Sequence, residues 1–130
     1  ANNINLLINL KADGLYISAK NKNLNLNRLK IANYKIIGSV HNIKELRLKK
    51  LQGCTNFVFS RLFKTNYENK KGYLGIIKFN LFKNMHKEKL VPLGGINSNN
   101  INQLNIVNSD SFSFLSEIKK KPAKIFSRLF

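Results

Sequence analysis

The chain has 130 residues, of which 23 are Lys or Arg and 6 are Asp or Glu, and its formal net charge at pH 7 is +17. The lysines are spread along the whole chain among many asparagines, so we attribute the charge to composition and expect no specific nucleic-acid partner. The single cysteine excludes an internal disulfide and fits a reducing cytoplasm. No apolar run is long enough to span a bilayer, which excludes a transmembrane helix and fits a soluble protein.

Short β-rich runs alternate with longer runs of helical periodicity, which is the pattern of βαβ units and a parallel sheet. The predicted strands are residues 14–18, 35–40, 57–60, 90–94 and 111–116. The predicted helices are residues 4–10, 26–32, 43–52, 73–85, a helix capped by Asn97 or Ser98 with Ile101, Leu104 and Val107 on one face, and residues 123–130. We therefore predict one α/β domain over residues 1–130, a partial TIM-type (β/α) barrel of about five parallel strands with alternating helices, and expect three more strands upstream.

The helix predicted at residues 43–52 carries the clearest local signals. Asn42 and Glu45 have the spacing of an N-cap residue and its N3 partner, which satisfy amides that have no acceptor inside the helix. Gly53 can end the helix in the left-handed conformation. These residues predict both ends of the helix.

Gly94 and Gly95 stand at the end of the fourth predicted strand and before a predicted helix. Without side chains, these residues let backbone amides approach an anion, and a helix N-terminus adds a favourable potential. The fifth predicted strand ends at Leu115 and Ser116, and barrel enzymes often bind phosphate between the loops after the final two strands. The sequence thus predicts a phosphate site at these four residues; the alternative is a tight turn at the glycines and a simple cap at Ser116.

Four segments resemble the thiamine phosphate synthase/TenI family, and their order and spacing cover nearly the whole chain. They are ADGLYI (12–17), IGSVHN (37–42), VPLGGIN (91–97) and FLSEI (114–118). The resemblance implies a barrel that binds a thiazole phosphate and couples it to a pyrimidine diphosphate, with Mg²⁺ holding the pyrophosphate that leaves. It therefore implies small phosphorylated thiazole and pyrimidine substrates and a role in thiamine biosynthesis, and it is compatible with a homo-oligomer.

Asn2 and Asn21 depart from the metal-binding pattern that this resemblance implies. Both stand at positions where the family has Asp. An amide side chain offers a carbonyl oxygen but no negative charge, whereas Mg²⁺ prefers charged oxygen ligands. We therefore expect the Mg²⁺ site of the family to be weakened in this chain.

Further residues are candidates for substrate binding and catalysis. Thr65 matches the family's binding loop after the third strand, where Arg61 or Lys64 can also meet an anion. Ser39 and His41 form the Ser-x-His segment, which the resemblance implicates in proton transfer in TenI-type thiazole tautomerases. A histidine titrates near neutrality and suits this role, although His41 can equally be a capping or packing residue.

Three functions stay open at this point. The first is a thiamine phosphate synthase-like protein that binds a thiazole phosphate and couples it to a pyrimidine diphosphate. The second is a TenI-type tautomerase that uses His41, and the third is a non-catalytic basic binding module. Acidic metal ligands would favour the first function, so Asn2 and Asn21 shift weight towards the other two.

Overall fold

A computed structural model of the protein describes residues 4–31, 33–65 and 72–114. The strands are β1 (Gly14–Ile17), β2 (Lys35–Val40), β3 (Asn56–Ser60) and β4 (Lys89–Leu93). The helices are α1 (Ile4–Asn9), α2 (Arg28–Ile31), α3 (Ile43–Leu51) and α4 (Ile76–Met85), with 3₁₀ helices at Leu24–Asn27 and Ile101–Ile106. None of the helices in these ranges is long and apolar enough to cross a membrane.

The strands form one four-stranded sheet in the order β1-β2-β3-β4. β1 and β2 pair in parallel with Leu15 opposite Ile36, and β2 and β3 pair in parallel with Gly38 opposite Phe57. A parallel sheet with intervening helices confirms the predicted α/β class. The fifth predicted strand is represented by one parallel bridge, from Leu93 to Ser113, while its last two residues and the helix predicted at 123–130 lie outside the described ranges.

The chain divides into two compact units. The first unit contains Ala1–Phe59 and Glu88–Leu90, and the second contains Ser60–Lys87 and Val91–Phe130. The prediction of one domain over residues 1–130 stays a prediction.

The core of the first unit comes from the strands and from buried residues of α1, the first 3₁₀ helix and α3. In β1 and β3 buried residues alternate with more exposed ones, whereas Gly38, Ser39 and Val40 at the end of β2 are all buried. A strand covered on both faces has this continuous burial. The buried hydrophobic residues of this unit include Leu7, Leu15, Ile17, Leu26, Ile36, Val40, Leu46, Phe57 and Phe59.

Both predicted ends of α3 are confirmed. The side chain of Asn42 accepts a hydrogen bond from the Glu45 amide at 3.0 Å. At the other end Gly53 has a φ of 84°, and the amides of Gly53 and Cys54 donate to the carbonyl oxygens of Lys50 and Lys49. These two bonds form a Schellman motif, which satisfies carbonyl groups that the helix itself leaves unpaired.

Asn42→Ala should therefore destabilise the protein by about 1 kcal/mol, the usual cost of removing an N-cap side chain. Urea unfolding of both proteins measures this difference. Asn99→Ala is a suitable control because Asn99 is exposed and uses only its backbone amide in the hydrogen bond to Asn97. An equal loss of stability in the two variants would contradict the capping role.

The predicted starts of two helices in the second unit are wrong. α4 begins at Ile76 and not at residue 73, because the amides of Leu74 and Gly75 donate to the carbonyl oxygens of Arg61 and Leu62. These contacts hold the two residues against the segment that follows β3. They are tertiary hydrogen bonds, which a local periodicity cannot predict.

The helix predicted after Gly95 is a 3₁₀ helix that begins at Ile101, with Asn100 as its N-cap. The predicted caps are wrong because the side chains of Asn97 and Asn100 both donate to the carbonyl oxygen of Gly95. The predicted apolar face is confirmed, since Ile101, Leu104 and Val107 are buried. Their spacing of three residues matches the period of a 3₁₀ helix.

Candidate functional site

The two predicted glycines form a left-handed turn directly after β4. Gly94 has a φ of 99° and Gly95 a φ of 73°, a region that L-amino acids with side chains rarely adopt. A Cβ atom on Gly95 would lie 2.5 Å from the carbonyl oxygen of Phe63 and 2.6 Å from that of Lys64. Both conformation and space therefore require glycine at position 95.

This geometry gives a different explanation for the presence of glycine at positions 94 and 95. The sequence suggests that the missing side chains give an anion access to the turn, but the space beside Gly95 is filled by the backbone of Phe63 and Lys64. The expected helix N-terminus is also absent from the turn, because the following helix begins only at Ile101. The predicted contribution of a helix dipole to anion binding at Gly94 and Gly95 is therefore wrong.

The turn nevertheless presents one backbone donor, the amide of Gly95. The amides of Leu62 and Phe63 donate to the carbonyl oxygens of Leu93 and Gly94 at 3.0 Å, which fixes the turn against the segment after β3. Among residues 4–31, 33–65 and 72–114, none accepts a hydrogen bond from the amide of Gly95. A phosphate oxygen is a suitable acceptor for such an amide.

Arg61 and Thr65 lie beside the same turn. The Arg61 Nη1 atom donates to the Thr65 Oγ1 atom at 3.0 Å, and a Cβ atom on Gly94 would lie 3.1 Å from the Arg61 Cγ atom. The second unit thus has a guanidinium group and a hydroxyl group in the segment after β3, and this segment packs against the turn that contains the Gly95 amide. Leu115 and Ser116, the other half of the predicted phosphate site, lie outside the described ranges.

In the first unit, Ser39 and His41 lie at the end of β2 and just beyond it. Ser39 is buried, and the His41 side chain is 44% exposed. The Glu45 Oε2 atom lies 2.8 Å from the His41 Nδ1 atom and also accepts from the His41 backbone amide at 2.8 Å. Because a carboxylate only accepts, Nδ1 carries the shared proton and proton exchange with a substrate falls to Nε2.

Glu45 is a functional candidate that the sequence identified only as a helix-capping residue. Its carboxylate reaches back past Asn42 to His41, so it orients the imidazole as well as closing the helix start. Helical spacing does not predict this contact, because His41 precedes the N-cap Asn42, whose backbone is extended.

The loop after β1 contains Asn21, one of the two predicted metal positions; Asn2 lies outside the described ranges. The Asn21 Oδ1 atom already accepts from the Asn23 amide at 2.9 Å. The backbone carbonyl oxygen of Asn21 accepts from the Lys49 Nζ atom at 2.6 Å. No group of three or more His, Cys, Asp or Glu side chains in the described ranges is placed to hold a metal ion. A neutral amide beside an ammonium group does not fit Mg²⁺, which prefers anionic oxygen ligands.

Burial shifts the pKa values of two groups, Lys49 beside this loop and Cys54 near Lys49. Desolvation lowers the pKa of Lys49, and the nearby Cys54 and Glu45 charges partly oppose this change. Desolvation also raises the pKa of the Cys54 thiol to about 11, with the Lys49 charge opposing it. Cys54 is 8% exposed, so it packs as a small apolar residue and is a poor nucleophile.

The Cys54 thiol should therefore react slowly with an aromatic disulfide reagent at pH 8. A pKa of about 11 against an ordinary 9.0 leaves roughly a hundredfold less thiolate, and the thiolate is the reacting species. The absorbance of the released thiol measures the rate in folded and urea-unfolded protein. Equal rates in the two states would contradict the burial and raised pKa of this group.

Similar proteins were found by sequence and by structure. A profile of the family described as thiamine monophosphate synthase matches residues 1–118. A thiamine-phosphate synthase of Clostridium tetani is 27% identical over 119 residues, which cover 91% of this chain and 57% of that protein. A thiamine-phosphate synthase of Prochlorococcus marinus is 31% identical over 94 residues, which cover 72% of this chain and 27% of that protein.

The fold of this chain is also similar to that of a solved structure. Thiamine phosphate pyrophosphorylase from Pyrococcus furiosus superposes with a TM-score of 0.70 over 99% of this chain and 66% of that chain, at 17% identity. This likeness supports the fold. The chain spans 57% and 27% of the lengths of the two curated relatives. Since the family profile covers nearly all of its length, the chain belongs to the thiamine monophosphate synthase family.

Proposed function

We propose that this chain is the thiazole phosphate-binding part of a thiamine phosphate synthase-type protein. The observation that carries the proposal is the left-handed turn at Gly94 and Gly95, with the Arg61–Thr65 pair beside it. The turn contributes a backbone amide, Arg61 a positive charge and Thr65 a hydroxyl group. These are the donor types that bind phosphate.

Arg61 is the strongest expected contact because it combines charge with a fixed position. Its guanidinium group is held by the Thr65 hydroxyl and its backbone carbonyl accepts from the Leu74 amide at 2.8 Å. A preorganised guanidinium group binds two phosphate oxygens without losing much side-chain freedom. Thr65 then positions Arg61 in addition to any contact of its own with the phosphate.

Arg61→Met tests this proposal. Loss of a charged hydrogen bond costs about 1.5–3 kcal/mol, so the affinity for a thiazole phosphate should fall by roughly 10- to 100-fold. Calorimetric titration measures the dissociation constant. Arg47→Met is the matched control, because Arg47 is exposed on α3 in the first unit; an equal affinity in both variants would exclude Arg61 from the site.

Coupling of the thiazole phosphate to a pyrimidine diphosphate is the reaction expected of the whole protein. The described residues support the binding step. The family resemblance implies that Mg²⁺ holds the departing pyrophosphate, but the described residues do not form a site that fits this ion. We therefore derive no step through that ion. The pyrimidine substrate, the cytoplasmic location and a homo-oligomeric state stay predictions.

A second function, thiazole tautomerisation, is favoured by the contact between His41 and Glu45. A tautomerase moves one proton between two substrate atoms, which a single histidine can do without a metal ion. Glu45 fixes the imidazole so that Nε2 is the exchanging atom. The neutral amide at Asn21 does not interfere with this chemistry, whereas it weakens the synthase reaction.

A further inference from the structure

Lys49 is a fully buried lysine that no proposed catalytic step uses. Its exposed fraction is 0%, although it lies in the last turn of α3 among lysines that face solvent. The Lys49 Nζ atom lies 2.6 Å from the Asn21 carbonyl oxygen and 2.7 Å from the Gln52 Oε1 atom. Lysine is rarely buried completely unless its donors are paired, so these two acceptors explain how the fold tolerates it.

Gln52 completes the same arrangement. It is also 0% exposed, and its Nε2 atom donates to the carbonyl oxygens of Asn21 at 3.1 Å and Asn23 at 2.9 Å. The side chains of Lys49 and Gln52 at the end of α3 therefore bind the backbone of the loop after β1. Three of their four hydrogen bonds end on that backbone.

Gly38 in β2 has no side chain, which leaves space for the buried Lys49 side chain. A Cβ atom on Gly38 would lie 2.8 Å from the Cys54 Sγ atom and 3.1 Å from both the Cβ and Cδ atoms of Lys49. The lysine stem and the Cys54 thiol therefore occupy the space that a side chain at position 38 would need. A buried cation whose donors are paired is a built feature of this unit, since isolated buried charge is strongly unfavourable.

The loop itself is ordered by asparagine side chains. The Asn21 Oδ1 atom accepts from the Asn23 amide at 2.9 Å, and the Asn23 Oδ1 atom accepts from the Asn25 amide at 3.0 Å. Loops at the carboxyl ends of parallel strands form the ligand side of α/β folds. Residues 21–25 follow the carboxyl end of β1, so their conformation affects what this side of the unit can bind.

We propose that Lys49 is a positioning residue whose ammonium group, with Gln52, orders the loop of residues 21–25 in place of a divalent cation. The positive charge that the family resemblance assigns to Mg²⁺ near Asn21 is supplied from inside the protein. A bound metal ion is therefore not needed to hold the loop in its conformation. This role does not depend on phosphate binding at the glycine turn, because no residue of that turn takes part in it.

Amide hydrogen exchange of the intact chain tests the proposal, with MgCl₂ as the metal probe. In wild-type protein the Asn23 and Asn25 amides should be protected equally with and without millimolar MgCl₂. Lys49→Met keeps a buried side chain of similar length but removes the ammonium group, so exchange of both amides should rise by about tenfold or more. Lys44→Met, on an exposed position of the same helix, should leave exchange unchanged.

Gln52→Met is a second variant in case Lys49→Met does not fold. It removes the two bonds from Gln52 to the loop and one acceptor of Lys49, so exchange at Asn23 should again rise. Exchange in β2 reports whether each variant keeps its fold. Wild-type protection that rises with MgCl₂, or folded variants that exchange at the wild-type rate, would overturn the proposal.

Discussion

Gly95→Ala should destabilise the protein by on the order of 3 kcal/mol or more and abolish binding of a thiazole phosphate. The new methyl group would lie 2.5 Å from the Phe63 carbonyl oxygen and 2.6 Å from the Lys64 carbonyl oxygen. Backbone atoms cannot rotate away as a flexible side chain can, so the segment after β3 must separate from the turn. This separation also displaces Arg61 and Thr65. Urea unfolding and calorimetric titration measure the two effects.

Gly72→Ala is the matched control for this substitution. Gly72 has a φ of 90°, similar to that of Gly95, but nothing lies within 4 Å of the Cβ position. It should therefore lose only about 1–2 kcal/mol through backbone conformation. If the two variants lose equal stability, the close packing at Gly95 is not the cause of its effect.

His41→Asn should lower the rate of thiazole tautomerisation by roughly 100- to 10,000-fold, the usual contribution of a positioned acid–base group. Glu45→Gln should lower it less, because an amide can still contact the imidazole but no longer stabilises its charged form. Steady-state kinetics of both variants provide the measurement. Since Glu45 acts through His41, Glu45→Gln should lower kcat with little change in KM.

His86→Asn is the control for the histidine substitution. His86 follows α4, and its ring packs against Phe82 with a centroid distance of 4.4 Å. The substitution changes the same residue type in the second unit, so the tautomerisation rate should not fall. Wild-type activity in His41→Asn would exclude the tautomerase function.

The elements with local signals could be predicted from the sequence. β2 is predicted at residues 35–40, where it occurs, because it is one of the short β-rich runs that alternate with runs of helical periodicity. The ends of α3 followed from Asn42 and Gly53, whose side chain and conformation act within a few residues of the chain. Structure that depends on neighbouring residues was therefore predicted well.

The remaining errors come from contacts between distant residues. The start of α4 depends on hydrogen bonds from Leu74 and Gly75 to residues 61 and 62. The burial of Lys49 could not be predicted from the sequence, because its acceptor at Asn21 lies 28 residues away. The glycines at the turn were identified, but the carbonyl oxygens that require Gly95 belong to a different loop. Local sequence patterns contain no information on such pairings.

The most direct test of the central claim is a titration of the isotope-labelled chain with a thiazole phosphate, followed in the amide spectrum. Binding at the turn predicts saturable shifts of the Gly95 and Thr65 amides and of the Arg61 guanidinium signal. Inorganic phosphate should shift the same signals more weakly. Saturable shifts confined to other residues, or no shifts at millimolar ligand, would contradict phosphate binding at this turn.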